Sequence, residues 1–213
     1  MVYLLYKELW LQWLVYLISN LMEATKSHIR KTALANRKKM SPEAVEEKSQ
    51  QICRQFLNAF QVNKIDAIHI FLPIAHHNEI NTFLLIEQIQ RSNPTCKILV
   101  PKVIQKTNEM IALVLEPSAV LINNALGIPE PENAPIFDPQ KIELIIMPLV
   151  AVDTNGNRIG YGKGFYDIFL GHCKPDILKV GLSFDEPVNV IQDIESHDKP
   201  LDFLVCPNKV YKF

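Results

Sequence analysis

Four of the seven glycines in this 213-residue chain fall within nine residues, at Gly156, Gly160, Gly162 and Gly164. Glycine reaches positive φ without steric cost and lets another group approach the backbone closely, so the unusual backbone of this chain is concentrated there. The stretch reads Asp153-Thr-Asn-Gly-Asn-Arg-Ile-Gly-Tyr-Gly-Lys-Gly-Phe-Tyr-Asp167. It follows the apolar run Ile142-Glu-Leu-Ile-Ile-Met147, which reads as a buried strand, and precedes Phe165-Tyr-Asp-Ile-Phe-Leu170, which reads as the first turns of a helix. A glycine loop between strand and helix offers backbone N–H groups and a helix N-terminus to an anion, and Arg158 and Lys163 add positive charge. The spacing is not that of a Walker A loop, because Gly164 follows Lys163 where Ser or Thr is needed. Nor is it Gly-x-Gly-x-x-Gly, because Phe165 stands at the third glycine. A ligand-free tight turn is the plain alternative; the charges and Asp167 favour phosphate binding.

Strand-like and helical segments alternate elsewhere. Residues 67–72 and 97–100 read as strands with a helix at 82–91 between them, and 111–115, 178–183 and 202–205 as further strands. Such alternation predicts an α/β fold: a single three-layer domain with a mostly parallel sheet and helices on both faces. Eight of the 14 prolines lie from Pro94 to Pro148, which predicts a long ordered surface connection there. Ser41-Pro42-Glu43 is a helix start, with a capping serine and proline at the first helical position. Val45, Ile52, Cys53, Phe56, Leu57 and Phe60 supply that helix's buried stripe. Just before it, residues 26–39 are helix-forming and basic, and Lys26, Arg30 and Arg37 share a face that could reach one anionic ligand. The bland reading of those three is a solvated charged face.

With 22 basic and 23 acidic residues the net charge is -1, which leaves no positive field for general nucleic-acid binding. The four cysteines are widely spaced, with no C-x-x-C pair, and point to a reduced, cytoplasmic setting. Residues 1–21 are strongly apolar and carry both tryptophans, yet their uninterrupted part is too short to span a bilayer comfortably and no small-residue cleavage site follows. An interfacial helix, a docked helix, or upstream sequence read from a start that is not the natural one all fit, and the last is favoured. The domain proper then runs over 22–213.

Other chemistry-bearing residues are fewer. Glu79 follows the first core strand, where open α/β sheets bind ligands. The adjacent His76 and His77 are poorly placed to share a metal. Asp153, Asp167, Asp198 and Asp202 follow or separate strands; any two could hold magnesium, with caps and surface acids as the default. No Ser/His/Asp or Cys/His arrangement is recognisable.

Taken together these features resemble the 5-formyltetrahydrofolate cyclo-ligase (5,10-methenyltetrahydrofolate synthetase) family. The resemblance rests on Lys26-x-x-x-Arg30, Glu79-Ile-Asn-Thr82, Gly127-Ile-Pro-Glu-Pro131, Arg158-Ile-Gly-Tyr-Gly-Lys-Gly-Phe-Tyr-Asp167 and Glu195-Ser-His-Asp198, and covers about residues 24 to 213. It implies a three-layer α/β enzyme of one-carbon metabolism that closes 5-formyltetrahydrofolate to 5,10-methenyltetrahydrofolate with ATP and magnesium. By the same resemblance ATP would lie against Lys26, Arg30, Arg158, Gly160, Tyr161, Gly162, Lys163 and Gly164. Ile74, Glu79, Tyr161 and Phe165 would contact the folate, Asp167 and Asp198 would hold magnesium, and Lys163, Arg158 and Tyr166 would act at the reacting groups. Phe165 stands where the family often has tyrosine, and the His76-His77-Asn78 lead into Glu79 is unusual. Small-molecule substrates are expected, with no nucleic acid or membrane partner, and a monomer is favoured. Two rivals remain at this level: a sugar-phosphate isomerase or transferase using Glu79 as a base, and a membrane-tethered nucleotide-binding module. A chain beginning at Met22 is expected to keep full cyclo-ligase activity and gain solubility, because an undocked apolar leader exposes a large greasy surface; failure of that shorter chain to fold would show that the leader is docked.

Overall fold

The computed structural model describes residues 25–104, 106, 107, 109–125 and 127–213. The apolar leader and its assignment lie outside the described residues. Helix α1 (Lys26–Lys38) starts at Thr25, whose side chain accepts from the His28 N–H, and α2 (Pro42–Ala59) starts at Ser41, whose hydroxyl accepts from Ala44 N at 3.2 Å. Each cap satisfies a donor that the first helical turn leaves unpaired. Strand β1 (Ala67–Ile70), α3 (Phe83–Ser92) and β2 (Lys97–Ile104) follow, then β3 (Glu109–Val114), β4 (Leu121–Asn123), β5 (Pro129–Pro131), β6 (Ile136–Phe137) and β7 (Leu144–Met147). The last third carries β8 (Ala151–Val152), β9 (Arg158–Ile159), α4 (Phe165–Leu170), β10 (Leu178–Leu182), β11 (Phe203–Val205) and β12 (Val210–Lys212).

Eight strands form one sheet in the order β12-β11-β10-β7-β1-β2-β3-β6, in which β11, β10, β7, β1 and β2 are parallel. Strand β7 is Leu-Ile-Ile-Met with every residue buried, the composition of a parallel strand covered on both faces. The expected mostly parallel sheet with flanking helices is therefore present. The edges differ from expectation: β3 returns antiparallel beside β2, and β12 beside β11. Residues 105–108 between β2 and β3 are too few for a crossover, so the chain can only turn back as a hairpin. The proline-rich region is not one long connection. It is punctuated by the β4–β5 pair and by β6 at the sheet edge, and Glu130 accepts from the Val103 N–H to tie that pair to β2.

From β1 the chain crosses through α3 to β2 on one side, and from β7 through α4 to β10 on the other. The two crossovers diverge at the β1–β7 pair, and a crevice opens beyond the carboxyl ends of those strands. The core beneath contains one polar anomaly. His69 of β1 is fully buried, has no hydrogen-bond partner on either ring nitrogen among the described residues, and packs against Tyr166 and Phe169 of α4 at ring distances of 5.8 and 5.2 Å. Burial pulls its pKa down to about 3 from 6.5. Between those values the unfolded chain binds this proton and the fold does not, so stability falls as pH drops below 6.5. From pH 7 to pH 5 this residue should cost the fold ~2 kcal/mol. In urea titrations at both pH values His69→Phe is expected to remove that share of the pH dependence; an unchanged dependence would place the proton elsewhere.

Candidate functional site

A cavity of about 760 Å³ fills the crevice. Its apolar walls come from Phe71, Leu72 and Ile74 after β1, Pro101 and Val103 on β2, Met110 on β3, Ile128, and Phe165 with Tyr166 at the start of α4. Its charged rim comes from Lys26 and Arg30 on α1, residues 158–164, and the acids Asp167, Asp193, Glu195 and Asp198. One part suits a flat apolar ring system and the other a polyanion.

The glycine stretch divides in two. Its first half is a β8–β9 hairpin closed by Val150 N to Ile159 O and Asp153 N to Asn157 O. Asp153 is wholly buried there, and its carboxylate accepts from the backbone N–H groups of Asn155, Asn157 and Ile191 and from the Asn157 amide. It anchors the hairpin and is no magnesium ligand. Asp202 likewise pairs with Lys179 at 2.8 Å and lies outside the cavity wall. Gly156 has φ +83°, and a Cβ there would stand 2.8 Å from the Phe213 ring, so this glycine serves chain packing and not a ligand. The second half, residues 160–164, lines the cavity, with Gly162 and Gly164 at positive φ. Among the described residues, no acceptor takes the N–H groups of residues 161–164, which leaves them for a bound anion. Because α4 has only six residues, these loop amides matter here more than any helix dipole.

The cations are arranged around that loop. Arg30 Nε donates to Gly160 O at 2.7 Å, and among the described residues neither Arg30 nor Lys163 forms an ion pair. Lys26 Nζ meets Asp198 Oδ2 at 2.5 Å, and Arg158 Nη2 meets Asp167 Oδ1 at 2.8 Å. Burial would raise the Asp198 carboxyl, but the bond from Lys26 and another from the Glu195 N–H hold it below its ordinary value. Lys199 N donates to Asp167 Oδ1, which ties the segment carrying Asp198 to the start of α4. Among the described residues no group of three or more metal-type side chains gathers, including at His76 and His77. A hard magnesium ion needs only one or two carboxylates together with phosphate and water oxygens, so Asp167 and Asp198 fit it without an all-protein cage among the described residues.

Arg37 departs from expectation. It does not join Lys26 and Arg30 at the cavity but turns inward, donating from Nη2 to Leu149 O at 2.9 Å and from Nη1 to the Tyr161 hydroxyl at 3.1 Å. The Tyr161 hydroxyl in turn donates to Glu79 Oε1, while Ile74 N donates to Glu79 Oε2 at 2.7 Å. His77 stacks on the Tyr161 ring at 5.7 Å. Burial first, and then the Glu79 charge, raises the Tyr161 phenol, and burial raises that of Tyr166, so both are neutral donors at pH 7 and not bases. Tyr166 OH and Arg158 Nε are buried beside the cavity with no partner among the described residues. Every expected nucleotide, folate and magnesium residue thus lines one cavity. Pro101, Val103 and Met110 escaped sequence reasoning because a strand's period tells which face is apolar but not that the face ends in a cavity.

An open α/β sheet whose glycine loop and cations face a cavity at the switch point has the layout of a small-molecule enzyme. The sequence pattern of the 5-formyltetrahydrofolate cyclo-ligase family matches residues 22–207, and the chain belongs to that family. It is 30% identical over 182 residues to the 5-formyltetrahydrofolate cyclo-ligase of Escherichia coli K12, covering 83% of this chain and 97% of that protein. It is 26% identical over 205 residues to a probable 5-formyltetrahydrofolate cyclo-ligase of Schizosaccharomyces pombe, covering 90% and 99%. The fold matches the solved 5,10-methenyltetrahydrofolate synthetase of Aquifex aeolicus with a TM-score of 0.74 at 28% identity, over 88% of this chain and 92% of that one. Among the described residues no helix is long and apolar enough to cross a membrane. Inorganic tripolyphosphate is expected to bind at the loop, and Arg30→Ala or Lys163→Ala to weaken it roughly tenfold or more by calorimetry, the size of a lost charge-assisted contact. Equal affinity in wild type and both variants would remove the loop as the anion site.

Proposed function

We propose that the chain closes 5-formyltetrahydrofolate to 5,10-methenyltetrahydrofolate at the expense of ATP, releasing ADP and phosphate. The observation that carries this reading is one cavity that joins a loop whose amides lack acceptors, and two cations without an ion pair, among the described residues, to an apolar chamber with a carboxylate at its wall. The formyl oxygen of the substrate is amide-like and a poor leaving group. Attack of that oxygen on the terminal phosphorus of ATP breaks the bond to the leaving ADP oxygen and turns the formyl oxygen into a phosphate ester. The carbon becomes an iminium that the second folate nitrogen can attack. That nitrogen loses its proton, the carbon–oxygen bond breaks, and phosphate leaves with the electron pair.

The protein's share is placement and charge neutralisation. Arg30, Lys163 and the loop amides receive the polyphosphate, and Lys26 and Arg158 stand beside it. The unpartnered Tyr166 hydroxyl and Arg158 Nε are donors already desolvated at the cavity, where they can stabilise charge on the transferring group. Glu79 presents a carboxylate to the amino and ring N–H edge of a pterin, with Phe165 and Ile74 as apolar contacts. Magnesium, held by Asp167 and Asp198, would neutralise polyphosphate charge.

Purified protein mixed with ATP, magnesium and 5-formyltetrahydrofolate should develop the methenyl chromophore, and omission of ATP should abolish it. Turnover of a sugar phosphate without nucleotide would overturn the reading. In the same assay Asp167→Asn should need much more magnesium for half-maximal rate and reach a lower maximum, because an amide lacks the charge that a hard cation prefers. An unchanged midpoint at normal rate would leave Asp167 only its ion pair with Arg158.

A further inference from the structure

We infer that Arg37 is a positioning residue for the folate: acting through the Tyr161 hydroxyl, it fixes the Glu79 carboxylate that receives the pterin. The inference rests on the proposed function and adds to it a residue outside the cavity wall. Arg37 is only 9% exposed; the hydrogen-bond partners of its guanidinium, Leu149 O and Tyr161 OH, are both uncharged, and the Phe184 ring lies 6.0 Å from its Cζ. A buried guanidinium with no anion in contact is costly unless one stands close behind its neutral partners. Glu79, itself 7% exposed, stands one phenol away.

The direction of the bonds gives the arrangement its meaning. A phenol oxygen has one proton to give, and Arg37 is always a donor. When Arg37 Nη1 donates to the Tyr161 oxygen, the Tyr161 proton is turned outward, and it goes to Glu79 Oε1. Ile74 N takes Oε2 at 2.7 Å. Each carboxylate oxygen is thereby held by one protein donor and keeps a further lone pair for a ligand. The ring is held from the side by His77, and Tyr161 sits between Gly160, bound by Arg30, and Gly162. Without Arg37 the hydroxyl can rotate its proton away and the carboxylate loses one of its two supports. Polyphosphate contacts, made by Arg30, Lys163 and loop amides, do not pass through this hydroxyl.

The test is a double-mutant cycle on the full chain, read as KM for each substrate and as kcat. Arg37→Met keeps length and apolar volume but removes the donors, and Tyr161→Phe keeps the stacked ring but removes the hydroxyl. Each should raise the KM for 5-formyltetrahydrofolate about tenfold, the value of a charge-assisted bond, with the KM for ATP within roughly twofold of wild type. The double variant should be no worse than the worse single variant. Equal rises in both KM values, multiplying effects, or no change in an active enzyme would overturn the positioning role. Should Arg37→Met fail to fold, Arg37→Lys takes its place in the cycle, since a single ammonium cannot serve Leu149 O and the Tyr161 hydroxyl as the two guanidinium nitrogens do: the folate KM must rise in the Tyr161 protein and not further in the Tyr161→Phe protein. A wild type that never forms the chromophore would overturn the proposed function and this inference with it; an active wild type with unaffected variants overturns this inference alone.

Discussion

The constraint on which the site depends is the parallel pairing of β1 with β7, register Ile68 to Leu144, at the point where the chain's two crossovers part. Helices that leave a sheet in opposite directions cannot both cover the strand ends between them, so a cavity there follows from connectivity before any side chain is chosen. Two short segments leave those strand ends, Phe71-Leu72-Pro73 and Pro148-Leu149, and each supplies a wall. The same pairing is made rigid by the least polar part of the sheet, since every residue of β7 is buried. The cavity therefore has a firm floor, and its chemistry is supplied by loops that can change without disturbing it.

Helix α1 brings the other half of the site from far away in sequence. Its three spaced cations lie on one helical side, yet they perform different tasks: Lys26 holds Asp198, Arg30 holds Gly160, and Arg37 turns inward to Leu149 and Tyr161. The helix is thus fastened to the downstream acids, the glycine loop and the strand end at once. Ile29, Ala33 and Leu34 pack this otherwise polar helix on the small apolar cluster of Val150, Ala151, Ile159 and Ile191, and the charged contacts fix it further.

Much of this was legible in the sequence, and the limits have physical causes. The buried strands, the capped α2 and the parallel order could be read because apolar runs and capping residues act locally. The antiparallel return of β3 was missed because the strand from Lys97 was read as ending at Val100, which left ten residues before the next strand where the fold leaves only residues 105–108. The strands β4, β5, β6, β8, β9 and β12 have two or three residues each, too few for a period to show. The glycine cluster pointed to the loop that lines the cavity, but its count overstated it: Gly156 is required by Phe213, which sequence distance conceals. The acids could be named but not sorted, because Asp153 as an anchor and Asp167 as a cavity acid look alike until their partners are known. Arg37 looked like its neighbours for the same reason: helical spacing gives the side a residue occupies, not the atom it reaches.

The ion pairs in the cavity wall have a consequence for what the cavity can accept. Asp167 and Asp198 are each already neutralised by a cation, Arg158 and Lys26, in partly buried surroundings with 8–17% of the side chain exposed. Leaving those acids bare would cost more than the pairs gain, so the pairs keep the free protein stable as well as stocked with cations. On the proposed reading an arriving polyphosphate competes for the same two cations, and any cation it draws off leaves an acid uncompensated. Asp167 and Asp198 would hold a divalent cation arriving with the polyphosphate, which would supply them with a positive partner in place of the one drawn off. Nucleotide without a metal would have to break two ion pairs with nothing to replace them. On that reading, charge balance in the cavity wall favours the arrival of nucleotide and metal together, in addition to any effect on the transferring phosphoryl group.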